Sequence, residues 1–231
     1  ARPWARPDRV FPGDGDTMTS LLYTAELDLA EPDVKPFLDW YAYRHAPDLV
    51  PLGFESSACY GATGGDMNLF DIYEIPNRDL FYGAGYRRMN ERDNYAAPIL
   101  EKRRNKAHTI YRQHHVDGLS PDAAVRLDAD WITVTRFDSS VEADGIARAL
   151  SAQAEAWHRQ NVAVVRLGSR TTDHPVYTTT RPQFMVLAEW QCRPAVGTAL
   201  IEGLTRSLAA EGTVSRQITF EGHRIYPWPN D

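Results

Sequence analysis

The order strand, helix, strand, strand, helix, strand is written twice along this chain, and that repetition constrains the fold more than any single motif. In the first copy, Ser20 to Asp28 alternates as a strand, with Leu21, Tyr23, Ala25 and Leu27 on one face and Leu22, Thr24, Glu26 and Asp28 on the other. A helix opens at Glu31-Pro32-Asp33, where the missing N–H of proline costs least. Strands follow over 54–62 and 68–75, separated by the turn signal Thr63-Gly64-Gly65-Asp66. Residues 78–94 read as a second helix, with Leu80, Phe81, Ala84 and Met89 inward and two interrupting glycines, Gly83 and Gly85. Residues 107–115 form the fourth strand. The second copy runs as strand 131–137, helix 141–160, strands 162–167 and 184–190, helix 195–210 and strand 215–221. Four segments are therefore expected: an extension over 1–17, a first unit over 18–116, a linker over 117–128 and a second unit over 129–231.

Such a unit is α+β. It makes a four-stranded antiparallel sheet carrying both helices on one face, and it leaves the other face to be buried elsewhere. With 231 residues, 43% of them hydrophobic and 24% charged, the chain can bury a substantial core. A net charge of −6 supplies no general attraction to nucleic acid or to an anionic membrane, so neither is expected as a partner. No run approaches the ~18 apolar residues of a membrane span. Cys59 and Cys192 form no CxxC, which argues against a disulfide framework or a cysteine-based metal site and fits a reducing cytoplasm. The first 17 residues lack the apolar core of a secretory signal. No metal-ligand spacing, nucleotide-binding glycine loop or nucleophile elbow is present, and no metal or cofactor is expected. The arginines at 87, 88, 103 and 104 read as a solvated surface.

The first helix carries the chemistry. Val34, Phe37, Leu38, Tyr41 and His45 share one helical face, so a histidine closes an apolar stripe. Pro47 is expected to stop the helix beside it. His45 is either a core histidine satisfied by a backbone carbonyl or a functional group in the aromatic, partly polar company of Trp40, Tyr41, Tyr43 and Arg44. The stretch from Phe37 to Phe54, with Trp40-Tyr41, then His45-Ala46-Pro47, then Gly53-Phe54 opening a strand, resembles the first helix of EthD-like proteins of the dimeric α/β-barrel superfamily. The resemblance implies that the two ferredoxin-like sheets face each other and close a barrel, here within one chain. It further implies a ligand in the barrel lumen, with His45 as acid, base or orienter.

The two units are chemically unequal. The second has no equivalent of His-Ala-Pro, which suggests one working half and one structural half. In the fourth strand, Ile110 argues that the even face, including His108, meets the helices, leaving Tyr111 and His115 on the lumen side. Glu74 and Glu189 occupy matching places in the third strands. The candidate catalytic residues are His45, Tyr41, Tyr43, His115 and Tyr111, with Trp40, Tyr60, Glu26, Glu74 and Arg44 as substrate contacts. A histidine and a tyrosine are a serviceable base and hydrogen-bond donor for an enolisable carbonyl or a phenol. The resemblance implies a cofactor-independent enzyme for a hydrophobic aromatic or polyketide-like molecule, of lyase or isomerase type. The alternatives are a cofactor-free monooxygenase and a non-catalytic binding barrel. A single-chain barrel needs no partner to bury its sheets, so a homodimer is expected only through outer surfaces.

Overall fold

The computed structural model describes residues 20–92, 97–121, 127–171, 174, 176–177, 179–195 and 197–227. The expected extension over 1–17 lies outside them. Eight strands close into one antiparallel barrel: β1 (Leu21–Asp28), β2 (Ser56–Gly65), β3 (Leu69–Ile75), β4 (Arg104–His114), β5 (Trp131–Ser139), β6 (Val162–Arg170), β7 (Phe184–Trp190) and β8 (Val214–Tyr226). The order around the ring is β1-β3-β2-β8-β5-β7-β6-β4. Strands β1 to β4 lie side by side, as do β5 to β8, and the halves are sewn together by β2 with β8 and by β4 with β6. The helices lie outside: α1 (Glu31–Trp40), α2 (Ala46–Leu49), α3 (Ala84–Arg92) and α4 (Ala97–Leu100) on the first half, and α5 (Ala143–Ser151), α6 (Ala154–Arg159) and α7 (Gly197–Glu211) on the second. Among the described residues no helix is long and apolar enough to cross a membrane.

Strand alternation sorts the side chains into three cores. On β1, Tyr23, Ala25 and Leu27 face the helices, whereas Leu22 faces the lumen. The lumen is filled: Leu22, Phe70, Ile72 and Tyr111 from the first half meet Ile132, Val134, Met185, Leu187 and Phe220 from the second, all essentially inaccessible. Eight strands enclose a space of a size that side chains can fill, and these buried side chains pack together in it. The cavity described below lies on the other face of the first sheet, toward the helices. Two buried ion clusters lie in it. Glu26 is gripped by Arg136 and, at 2.6 Å, by Arg181. Arg166 holds Glu74 at 2.8 Å and Glu189 at 2.6 Å.

Local departures from the expected elements have local causes. The helix expected over 141–160 breaks after Ser151 and resumes at Ala154. The one expected over 78–94 begins as a 3-10 turn (Arg78–Tyr82) and becomes α3 only after Gly83, whose backbone is extended; its last two expected residues lie outside the described ones. Pro47 does not stop the first helix. It lacks the N–H that would bond back one α-helical turn, and the ladder widens ahead of it into a π turn over Tyr41–His45, with the Ala46 N–H bonded to the Tyr41 carbonyl. The chain continues through α2 and a 3-10 turn and ends at Gly53, whose φ of 102° suits glycine. The expected linker is partly structural: Leu119 joins the second half's outer core and Leu127 packs into the lumen core.

Candidate active site

The site is built on one cross-strand row on the helix face of the first sheet. Cys59, Asp71, Ala25 and His108 are successive register partners on β2, β3, β1 and β4. Neighbouring strands lie ~4.8 Å apart, so Asp71 and His108, two strands apart, stand ~10 Å from each other across the sheet. Between them Ala25 contributes only a methyl group. That small residue is the floor of a cavity of about 190 Å³, with Asp71 and His108 as two walls. The π turn supplies part of the opposite side. Residues five apart in an α-helix diverge by ~140°, but the wider turn brings Trp40 and His45 onto one face, their rings stacked at 4.5 Å. Both line the cavity, together with Tyr73, Tyr86 and Arg103.

Burial sets the protonation states. The Tyr23 hydroxyl and His108 Nδ1 are 2.6 Å apart. Burial raises Tyr23 well above the usual phenol range, so it remains a hydroxyl able to donate to Nδ1. The proton of the neutral imidazole then sits on Nε2. Burial, reinforced by the field of Arg103, pushes the His108 imidazole down to about 3. For Asp71 burial acts in the opposite direction: it pushes the carboxyl up to about 7, against a hydrogen bond from the Cys59 thiol and the attraction of Arg103. Asp71 is 3% exposed, and its Oδ1 has no hydrogen-bond partner among the described residues. The site therefore combines a carboxyl that titrates near neutrality with a neutral imidazole held by a tyrosine.

The second half roofs the site. Tyr177, from the segment between β6 and β7, stacks on His108 at 4.0 Å. His174 packs against Phe81 at 4.5 Å and Tyr23 at 5.4 Å, and burial pushes its imidazole down to about 4. The segment is tied down by Thr179 to Thr109 at 2.6 Å and by Arg181 to Glu26. The second half is thus more than scaffold.

The candidate residues read from sequence scatter over both faces of the sheet. Trp40 and His45 line the cavity, and Tyr41 lies buried behind them beside Tyr73. His45 therefore faces the helix side of the sheet, not the lumen. Tyr43, 72% exposed, and Arg44 face solvent. His115 is exposed past the end of β4, 3.1 Å from the Asp117 carboxylate. Tyr60, Tyr111, Glu26 and Glu74 are in the filled lumen, where Tyr60 donates to the Ala129 carbonyl and the two glutamates belong to the ion clusters. Sequence reading missed Asp71, Tyr23, Tyr73 and Tyr86, set His108 aside as a helix-side residue, and assigned Arg103 to a solvated surface. Asp71 had one usable signal, a carboxylate on the Leu69/Tyr73 face of an otherwise apolar strand. His174 and Tyr177 had none, since they reach the site from a segment between strands.

No protein-family model matches the chain, and no curated protein matches it. Solved structures do. An anthrone oxidase-like protein superposes with a TM-score of 0.61 at 9% identity, over 90% of this chain and 92% of that one. A heme-binding protein from Thermus thermophilus gives 0.53 at 11% identity, over 88% and 91%. A chlorite dismutase variant from Candidatus Nitrospira defluvii gives 0.52 at 7% identity, over 88% and 91%. The chain has the α+β-barrel fold of these proteins, closed here by eight strands of a single polypeptide.

The heme-binding likeness invites a test of fit. At about 190 Å³ the cavity does not hold a porphyrin, which would have to displace the Tyr177 and His174 roof. In the second half the corresponding space is filled by Ile146, Trp157, Leu204 and their neighbours. The residues as placed do not fit heme, and among the described residues no group of three or more His, Cys, Asp or Glu could hold a metal ion.

Proposed function

We propose that this chain is a cofactor-independent oxygenase for a small aromatic substrate with an acidic C–H next to a carbonyl or phenol. The substrate binds between the first sheet and its helices. The observation that carries the reading is Asp71: a buried carboxyl with one unpartnered oxygen, titrating near neutrality, across an alanine floor from a neutral histidine. Asp71 as carboxylate takes the C–H proton, and His108 Nε2–H stabilises the enolate or phenolate oxygen that forms. Trp40, His45 and Tyr73 supply the aromatic walls that orient the ring. The resulting carbanion is electron-rich enough to reduce O₂. At a methylene carbon the reaction balances without an external reductant, because one oxygen atom becomes the new carbonyl and the other leaves as water with the two hydrogens.

Proton abstraction alone would also serve a lyase or isomerase. The likeness to an anthrone oxidase-like protein favours oxygen insertion. The finer kinship with EthD-like proteins, carried by residues 37–54, and a cytoplasmic setting are part of the same proposal.

The test is oxygen uptake with a panel of hydroxylated aromatic ketones, anthrone among them. One O₂ consumed per substrate, lost in Asp71→Asn, supports the reading. Turnover at an equal rate under nitrogen would return the chain to lyase or isomerase chemistry, and no turnover in air would remove the oxygenase assignment.

A further inference from the structure

We propose that Arg103 makes this cavity selective for aromatic substrates that carry a carboxylate; the inference rests on the ligand cavity proposed above. Arg103 lies in the short connection between α4 and β4, and its half-buried side chain lines the cavity. Its Nε donates to the Leu100 carbonyl at 3.0 Å, which fixes the guanidinium and leaves its two terminal nitrogens as a planar fork. Among the described residues that fork makes no ion pair. An arginine that lines a cavity and has no ion-pair partner among the described residues can match a planar carboxylate in two parallel hydrogen bonds.

The surroundings favour a single negative charge. Arg103 lines the same cavity as Asp71 and His108. Among the described side chains that line the cavity, it is the one permanently charged cation. Asp71 Oδ1 stays free of the ligand's carboxylate and is left for the C–H proton, since two carboxylates repel. A neutral hydrocarbon ring would leave the Arg103 fork unsatisfied, at the cost that unpaired charged groups carry in a cavity.

Calorimetry at pH 7 with benzoate and 2-naphthoate against their carboxamides tests this. In the wild-type protein each acid is expected to bind about 10–100-fold tighter than its amide, the range of a charge-assisted pair. Arg103→Gln should erase the preference, and Arg103→Lys should keep only part of it, since an ammonium is a point charge. Ala25→Leu, which fills the floor, should abolish binding of both probes. Equal affinity for acid and amide, a preference that survives Arg103→Gln, acid binding unchanged in Ala25→Leu, or no binding at all overturns the proposal. Oxygen uptake without any acid preference retires Arg103 as a selector and leaves the oxygenase reading standing. Acid preference without oxygen uptake retires only the oxygenase reading.

Discussion

Asp71 and His108 have been moved by burial in opposite directions, and each shift has a consequence for activity or stability. If Asp71 is the base, kcat/KM should rise with pH and level off above an apparent pKa near 7. Asp71→Asn should lower it by about 10²–10⁴-fold and abolish that rise. His45→Ala separates the two candidate bases. It should weaken substrate binding yet keep the pH profile, and a flattened profile in His45→Ala would transfer the role from Asp71 to His45. Stability carries an independent sign. The folded Asp71 keeps its proton up to about 7, whereas the unfolded one loses it near pH 4. Its contribution is therefore complete below ~4 and is lost as pH rises to ~7. His108, lowered to about 3, works the other way, its contribution being present above ~6.5 and lost as pH falls. The Asp71→Asn protein should gain melting temperature relative to wild type as pH increases from ~4 to ~7. A difference that stays constant over that window would mean Asp71 titrates normally.

At the scale of elements, the cavity depends on one small residue in one register. Ala25→Leu should block ligand binding while leaving the fold intact, because the added atoms enter empty space. Circular dichroism that matches wild type together with lost binding is the expected pair of results. Gly168 is the contrasting case. A Cβ there would sit 2.8 Å from Tyr111 Cβ across the β4–β6 seam, so Gly168→Val should cost about 1–3 kcal/mol by overpacking, read as a lower denaturation midpoint. These two positions also show what a sequence can display. Period-two alternation identified β1 and its two faces, and Ile110 correctly turned the even face of β4 toward the helices. Which face carried the cavity could not be read, because lumen and helix layer are both apolar and the cavity arises from Ala25 lying between Asp71 and His108. That juxtaposition is a cross-strand register, and register is set by partners remote in sequence. The π turn was equally hidden: Pro47 was visible, but its effect on the Trp40–His45 stack depends on the chain continuing past it.

At the scale of the whole molecule, the two halves divide the lumen's charges between them. The first half contributes Glu26 and Glu74, and the arginines that hold them, Arg136, Arg181 and Arg166, all come from the second. Removing one cation should therefore be expensive. Arg166→Met leaves Glu74 and Glu189 buried without compensation and should cost about 3–5 kcal/mol, visible in chemical denaturation. The same division predicts how separated halves behave. A fragment of residues 18–116 would expose Leu22, Tyr60, Phe70, Ile72 and Tyr111, the lumen face of its sheet. Pairing with a second copy of itself would bury that face, but it would enclose carboxylates and bring none of the second half's arginines, which an apolar interior tolerates poorly. The fragment alone should aggregate at neutral pH, whereas co-expression with residues 129–231 should give a one-to-one complex, since each piece supplies the charge the other lacks. Size-exclusion chromatography with light scattering measures both. A stable monomer or symmetric dimer of the first fragment would show that the cross-half ion clusters do not determine which sheets close the barrel.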